Sequence, residues 1–240
     1  MIRKLTLALL LTLPTMSIAL DLEGFYITAK GGASKTFNTG TASFNTFNGT
    51  LITLQNEDLG TGSAFGFSVG KYLTDNFRLE LEAIKRTGYE FDVRDIASPT
   101  ITDKAKIETH ALFINGFYDF QPFTMSNTAI TPYLGGGVGI SRNKMGTDAI
   151  HTNGLPDGRT FDGNTINQFA YKLSAGTLVS LTKQLSLDVN YQYVNLGAFK
   201  GGTERSVNGV RTPALDLQRG FNGGDIKTQE LMVGLQYTFK

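Results

Sequence analysis

Residues Phe77 to Arg86 read FRLELEAIKR, which sets Glu80 and Glu82 two positions apart beside Arg78. Two carboxylates next to a cation are the groups general acid–base catalysis needs, one held protonated and one ionised. The same groups also form buried ion-pair networks without any chemistry. On a strand, Arg78, Glu80 and Glu82 share one face, while Phe77, Leu79, Leu81 and Ala83 share the other. What that polar face meets decides between the two readings.

The remaining chemistry-bearing residues are sparse. There is no cysteine, hence no disulfide framework and no thiolate metal site, and two isolated histidines, His110 and His151, make a poor metal centre. Ser68 and Ser174 near His110 are the inner-face candidates for a nucleophile and base. DGRTFDGN (157–164) lacks the alternating ligands and closing Glu of a calcium loop and reads as an exposed turn. GGGVG (135–139) lacks the Lys-Ser/Thr of a phosphate loop, so its glycines are expected to admit large inward side chains or let a sheet bend. No cofactor is expected.

Compartment is set by the N-terminus. Arg3 and Lys4 precede the apolar run LTLALLLTLP, and Ser17-Ile18-Ala19 offers small residues for cleavage, so residues 1–19 read as a signal peptide and 20–240 as the mature domain. Losing Arg3 and Lys4 takes the formal charge from +1 to −1, which gives no footprint for nucleic acid. Beyond the leader, no apolar stretch is long enough for a membrane helix.

Period-2 alternation dominates the mature chain and predicts eight strands of about ten residues, the length of a tilted bilayer-spanning strand. The strands lie within GFYITAKGGAS, SAFGFSVGKYL, FRLELEA, KIETHALFINGFYDF, ITPYLGGGVGIS, FAYKLSAGTLVSL, LSLDVNYQYVNL and ELMVGLQYTF. In the fourth, Ile107, Thr109, Ala111 and Phe113 are read as the apolar outer face, with Lys106, Glu108 and His110 inside. Short links, Thr74-Asp75-Asn76 and Thr182-Lys183-Gln184, alternate with long polar ones at about 36–61, 92–103, 143–163 and 199–225. LTDNFRLELE (73–82) also aligns with LTKQLSLDVN (181–190), an echo attributable to shared hairpin geometry. Short turns at one end and long loops at the other describe an all-β, eight-stranded antiparallel up-and-down transmembrane barrel. Ten strands stay open if the first loop's hairpin enters the membrane.

The inner faces then hold Lys30, Arg78, Lys106 and Lys172 against Glu80, Glu82, Glu108, Asp188 and Glu230. Four cations and five anions nearly cancel in a lumen that side chains fill, so a structural network is preferred over catalysis. Glu80 and Glu82 are expected within reach of Arg78, Lys106 or Lys30. Asn48-Gly49 and Asn208-Gly209 predict hairpin tips in the first and fourth loops; Asn48-Gly49-Thr50 also fits a glycosylation sequon, but the turn is preferred.

LEGFYITAKGGAS, FGFSVGKYLTDNFRLELE, TPYLGGGVG and the closing LQYTF resemble the small outer-membrane β-barrel family, the porin-like group of opacity proteins, surface antigens and the outer-membrane protein A barrel, over about Leu22 to Phe239. The resemblance implies a non-enzymatic surface protein of the Gram-negative outer membrane, with periplasmic termini, surrounded by phospholipid and LPS. It also implies that Tyr237 and Phe239 serve as the signal for the barrel-assembly machinery, although Lys240 follows them. Adhesion or recognition of host or surface ligands through loops one and four is the expected function. A narrow channel for small solutes or ions is the alternative, and an outer-membrane lipid-modifying enzyme a more distant one.

Overall fold

In a computed structural model, eight long strands close into one antiparallel barrel. The structure describes residues 22–37, 42–45, 49–54, 58–94, 100–213 and 221–239; the leader, Asn48 and Lys240 lie outside them. The strands are β1 (Phe25–Thr36), β2 (Thr61–Tyr72), β3 (Phe77–Arg94), β4 (Ile101–Asp119), β5 (Thr128–Met145), β6 (Asn164–Ser180), β7 (Leu185–Lys200) and β8 (Phe221–Thr238). Each pairs with its sequence neighbours, and β1 closes on β8 from Tyr26↔Thr238 to Thr36↔Thr228. Closure leaves no sheet edge within the membrane, where an unpaired backbone group would have no water to bond.

The outward face is apolar around the wall. Phe65, Phe67, Leu79, Leu81, Leu112, Ile114, Val138, Ile140, Leu173, Leu231 and Val233 are all about half exposed or more, which suits a surface wetted by lipid. Aromatic rings collect at the short-turn end, where Phe77 packs on Tyr118 at 5.0 Å and Tyr118 on Phe120 at 5.1 Å. A second set, Phe169, Tyr171 and Tyr193, lies toward the loops. These are the two interfacial girdles of a membrane barrel.

The short turns explain the internal echo. In the β2–β3 turn the Thr74 hydroxyl accepts from the amides of Asn76 and Phe77, and in the β6–β7 turn Thr182 accepts from Gln184 and Leu185. Both turns also close with paired amides on one carbonyl, that of Phe77 or Leu185. The repeated LT dipeptide is thus a turn device. The β4–β5 link folds as a small hairpin, Phe123–Met125 against Thr128–Ile130, with Ser126 and Asn127 at positive φ.

Two features depart from the sequence reading. Both described ends of the polar segment 92–103 are strand, because β3 runs to Arg94 and β4 starts at Ile101. Outside, Lys104 pairs with Asp92 at 2.9 Å, and inside Phe91 is buried against Phe199 and Phe221. A bulge between Arg86 and Tyr89, with Gly88 at φ 91°, shifts the parity of β3 so that Tyr89 and Phe91 turn inward.

The second departure is the facing of β4. Ile107, Thr109, Ala111, Phe113, Asn115, Phe117 and Asp119 point into the lumen, whereas Lys106, Glu108 and His110 point out. Both parities of this strand carry apolar residues, and its outward charges lie toward the loops, where a charge meets headgroups and water at little cost. Lower on the same face, Leu112 and Ile114 meet lipid. Among the described residues, the first-loop hairpin, Ala42–Asn45 with Leu51–Leu54, pairs with the barrel only at Phe221 and Asn222 at the loop end of β8, so the barrel has eight strands and not ten.

Candidate functional site

The lumen holds three tiers of charge. At the turn end, Arg78 donates to Asp119 at 3.1 Å and to the Tyr26 hydroxyl at 3.2 Å. Its guanidinium lies 4.2 Å from the Phe117 ring centre and 4.6 Å from that of Tyr133. The Tyr133 hydroxyl donates to Asp188 at 2.6 Å. In the middle, Glu82 joins Lys30 at 2.7 Å and is also in contact with Lys172, while Glu80 lies 3.7 Å from Lys30. Asn115 donates to both glutamates at 3.1 Å. Toward the loops, Arg86 grips both oxygens of Glu230, at 2.5 and 3.1 Å, and Ser34, Thr228 and Gln192 donate to the same carboxylate.

Of the residues expected in the lumen, Lys30, Arg78, Glu80, Glu82, Lys172, Asp188 and Glu230 face it. Lys106 and Glu108 do not: they sit on the outer wall, where Glu108 lies 4.0 Å from Lys85. Arg78 serves Asp119 and not the glutamates. Arg86 and Asp119 went unrecognised in the sequence. Arg86 shares the parity of Glu80 and Glu82 and could have been found from FRLELEAIKR itself; Asp119 needed the correct facing of β4. Ser68 and Ser174 are buried inside while His110 is exposed outside, so the nucleophile–base pairing considered above does not form.

The glycines of β5 answer to these inward side chains. A Cβ on Gly135 would lie 2.2 Å from the Phe117 ring, and one on Gly137 would lie 2.0 Å from the Asn115 carboxamide oxygen. Asn115 reaches the glutamates because the facing strand has no side chain there.

Above the charges the mouth is closed by apolar packing. Tyr89, Phe91, Ile107, Met145, Leu196, Phe199, Phe221 and Ile226 are buried in one cluster. Phe91 meets Phe221 edge-on at 4.8 Å.

Outside the membrane the sheet continues. Asp148–Thr152 pairs with β4, Leu155–Phe161 pairs with Asp148–Thr152, Arg205–Val207 with Leu155–Phe161, and Val210–Arg211 with Arg205–Val207. Loops three and four therefore form one sheet rooted on β4. Asn208-Gly209 turns its outer hairpin with both residues at positive φ, as expected of a type I′ turn. Asn153-Gly154 does the same in loop three, a signal present in HTNGLP but overlooked. In loop one Gly49 has φ 80°. The side chains that follow these turns are open to solvent: Leu155 is 71% exposed and Val210 67%. Asp157 accepts from Arg159 at 2.7 Å and from Thr152 at 2.8 Å, which ties the loop-three hairpin together and holds its carboxyl below the usual range.

Asp148, at the root of this sheet, is buried, and one of its oxygens has no hydrogen-bond partner among the described residues. Burial, then the nearby Asp103, push its carboxyl up to about 8. The folded sheet therefore binds a proton that the unfolded loop releases near pH 4. Stability from this group is full below about pH 4 and is lost as pH rises toward about 8. Amide exchange across 148–161, corrected for intrinsic rates, is expected to quicken over that window in the native chain, and Asp148→Asn should flatten the response.

Against known proteins, the family described as outer membrane protein beta-barrel domain matches residues 5–239. The outer membrane protein PagN of Salmonella typhimurium is 28% identical over 186 residues, covering 73% of this chain and 75% of its own. A candidate adhesin of Rickettsia conorii is 28% identical over 193 residues, covering 74% and 68%. Among solved structures, OprG from Pseudomonas aeruginosa superposes with a TM-score of 0.57 at 17% identity, covering 90% of this chain and 96% of that one. Neisserial surface protein A gives 0.50 at 17% identity, covering 90% and 98%. Closed eight-strand wall, lipid-facing girdles and a family match over nearly the whole chain agree: the protein belongs to the outer membrane protein beta-barrel domain family.

Proposed function

We propose that this outer-membrane surface protein is an adhesin that recognises its ligand through the extracellular sheet built by loops three and four. The observation that carries this is the pair of aliphatic tips, Leu155 and Val210, held open to solvent on a sheet braced against β4. Exposed aliphatic side chains on a rigid support suit recognition, since little ordering is needed on binding. The adhesin names of relatives support the same reading. Residues 1–19 act as the export signal, Tyr237 and Phe239 as the assembly signal, and phospholipid and LPS surround the wall. The lumen is a structural network, since its charges meet partners and not a substrate path, and the chain carries out no catalysis.

Non-adherent bacteria displaying the protein are expected to bind epithelial cells several-fold above vector controls. Leu155→Ser/Val210→Ser should return binding toward the control with heat-modifiable gel mobility unchanged. Equal adhesion by the variant would move the site elsewhere. The channel alternative predicts conductance steps in planar bilayers; silence at all voltages follows from the filled lumen and apolar mouth.

A further inference from the structure

The outer wall is asymmetric just above the apolar belt. On the β6–β7 side the belt ends in aromatic rings, with Tyr171 and Tyr193 6.2 Å apart. On the β3–β5 side it ends in basic residues. Lys85 lies directly opposite His110, and His110 directly opposite Arg142. Lys144 follows on the same outward face of β5, opposite Glu108. Directly opposed residues bring their side chains within about 5 Å at the Cβ, so these groups form one patch.

We propose that Arg142 and Lys144, with Lys85 and His110 beside them, hold the phosphate of a phosphorylated glycolipid of the outer leaflet. Three observations carry this. Arg142 and Lys144 are exposed and have no ion pair or side-chain hydrogen bond with any described residue; Glu108, the anion directly opposite Lys144, lies 4.0 Å from Lys85. The patch begins one outward position above Leu112 and Ile140, which are 52% and 64% exposed. A lipid whose acyl chains lie on those residues brings its headgroup to Arg142. Finally, a guanidinium beside an ammonium offers a forked donor and a point charge together, the combination suited to a phosphate. The site rests on the membrane placement of the wall and is independent of the adhesin reading.

The test uses the full chain purified from the outer membrane and reconstituted with defined lipid. Bis-phosphorylated lipid A retained through exchange into mild detergent is measured by mass spectrometry. Arg142→Gln/Lys144→Gln is expected to retain at least about tenfold less than the native protein. Lys35→Gln/Lys227→Gln, which removes two outward cations across the barrel, should retain the native amount. Dephosphorylated lipid A should be retained poorly by all. The single variants Arg142→Gln and Lys144→Gln should be intermediate, which keeps the test sound if the double variant assembles poorly. Equal losses in both double variants, or none in either, would overturn the site. Full displacement by millimolar inorganic phosphate would reassign it to a free anion. Loss of heparin binding with lipid A retained would reassign it to a sulfated glycan.

Discussion

Replacing Glu82 with Ala is expected to destabilise the barrel by about 3–5 kcal/mol, because it leaves two buried ammonium groups facing each other. Lys30 and Lys172 both converge on this carboxylate and neither reaches solvent appreciably. Glu80 lies 3.7 Å from Lys30 and offers only a partial substitute. Glu80→Ala should therefore cost clearly less. Glu82→Gln is expected to fall between, since the amide keeps an acceptor but not the charge. The checking measurement is the urea or temperature midpoint of the heat-modifiable band after reconstitution. A second substitution sharpens it: adding Lys172→Met to Glu82→Gln removes one of the two stranded cations and should recover part of the loss. Unchanged midpoints in every variant would show that the mid-lumen charges are not what holds the wall together.

The second large effect lies one tier higher. Arg86→Leu leaves Glu230 in a site shielded from water, although Ser34, Thr228 and Gln192 still donate to it. Glu230→Leu leaves the Arg86 guanidinium buried without its carboxylate, and Ser34, Thr228 and Gln192 can offer it only neutral oxygens after reorienting. The loss from Glu230→Leu should thus exceed that from Arg86→Leu, with both in the range of about 3–5 kcal/mol for breaking a buried pair. The double variant Arg86→Leu/Glu230→Leu should be less destabilised than the sum of the two, and the shortfall measures their coupling. The Tyr89–Ser34 contact at 2.5 Å links this pair to the apolar mouth. Cleavage of the extracellular sheet by added protease should therefore quicken with either single substitution. Additive losses without coupling would mean that Arg86 and Glu230 act separately.

Much of the barrel was legible in the sequence because the bilayer imposes a simple rule on a strand: one face meets hydrocarbon and the other meets the lumen. FRLELEAIKR shows the rule cleanly, and Glu80, Glu82 and Arg78 face inward as their alternation requires. The rule weakens outside the hydrocarbon. Lys106, Glu108 and His110 obey alternation but not the inference drawn from it, since charge facing outward is acceptable at headgroup depth. Their facing is fixed by pairing of β4 with β3 and β5, a long-range fact. The same limit hid the join between loops three and four. Their hairpin turns are local and visible as Asn-Gly, but the pairing of Leu155–Phe161 with Arg205–Val207 is not.

The sequence by itself determined the alternating strands, their order of short and long connections, and the presence of nearly balanced charge inside. The choice of eight strands over ten came from the pairing of the first-loop hairpin. Only the tertiary structure decided which charges meet. Closure of the wall brings Lys30 of β1 and Lys172 of β6 onto Glu82 of β3, and Glu230 of β8 onto Arg86 of β3. These residues are 52 to 144 positions apart along the chain, and barrel stagger, which no local pattern encodes, sets the height at which each one enters the lumen. The glutamates of FRLELEAIKR are therefore one half of a charge pairing whose other half is supplied from across the barrel.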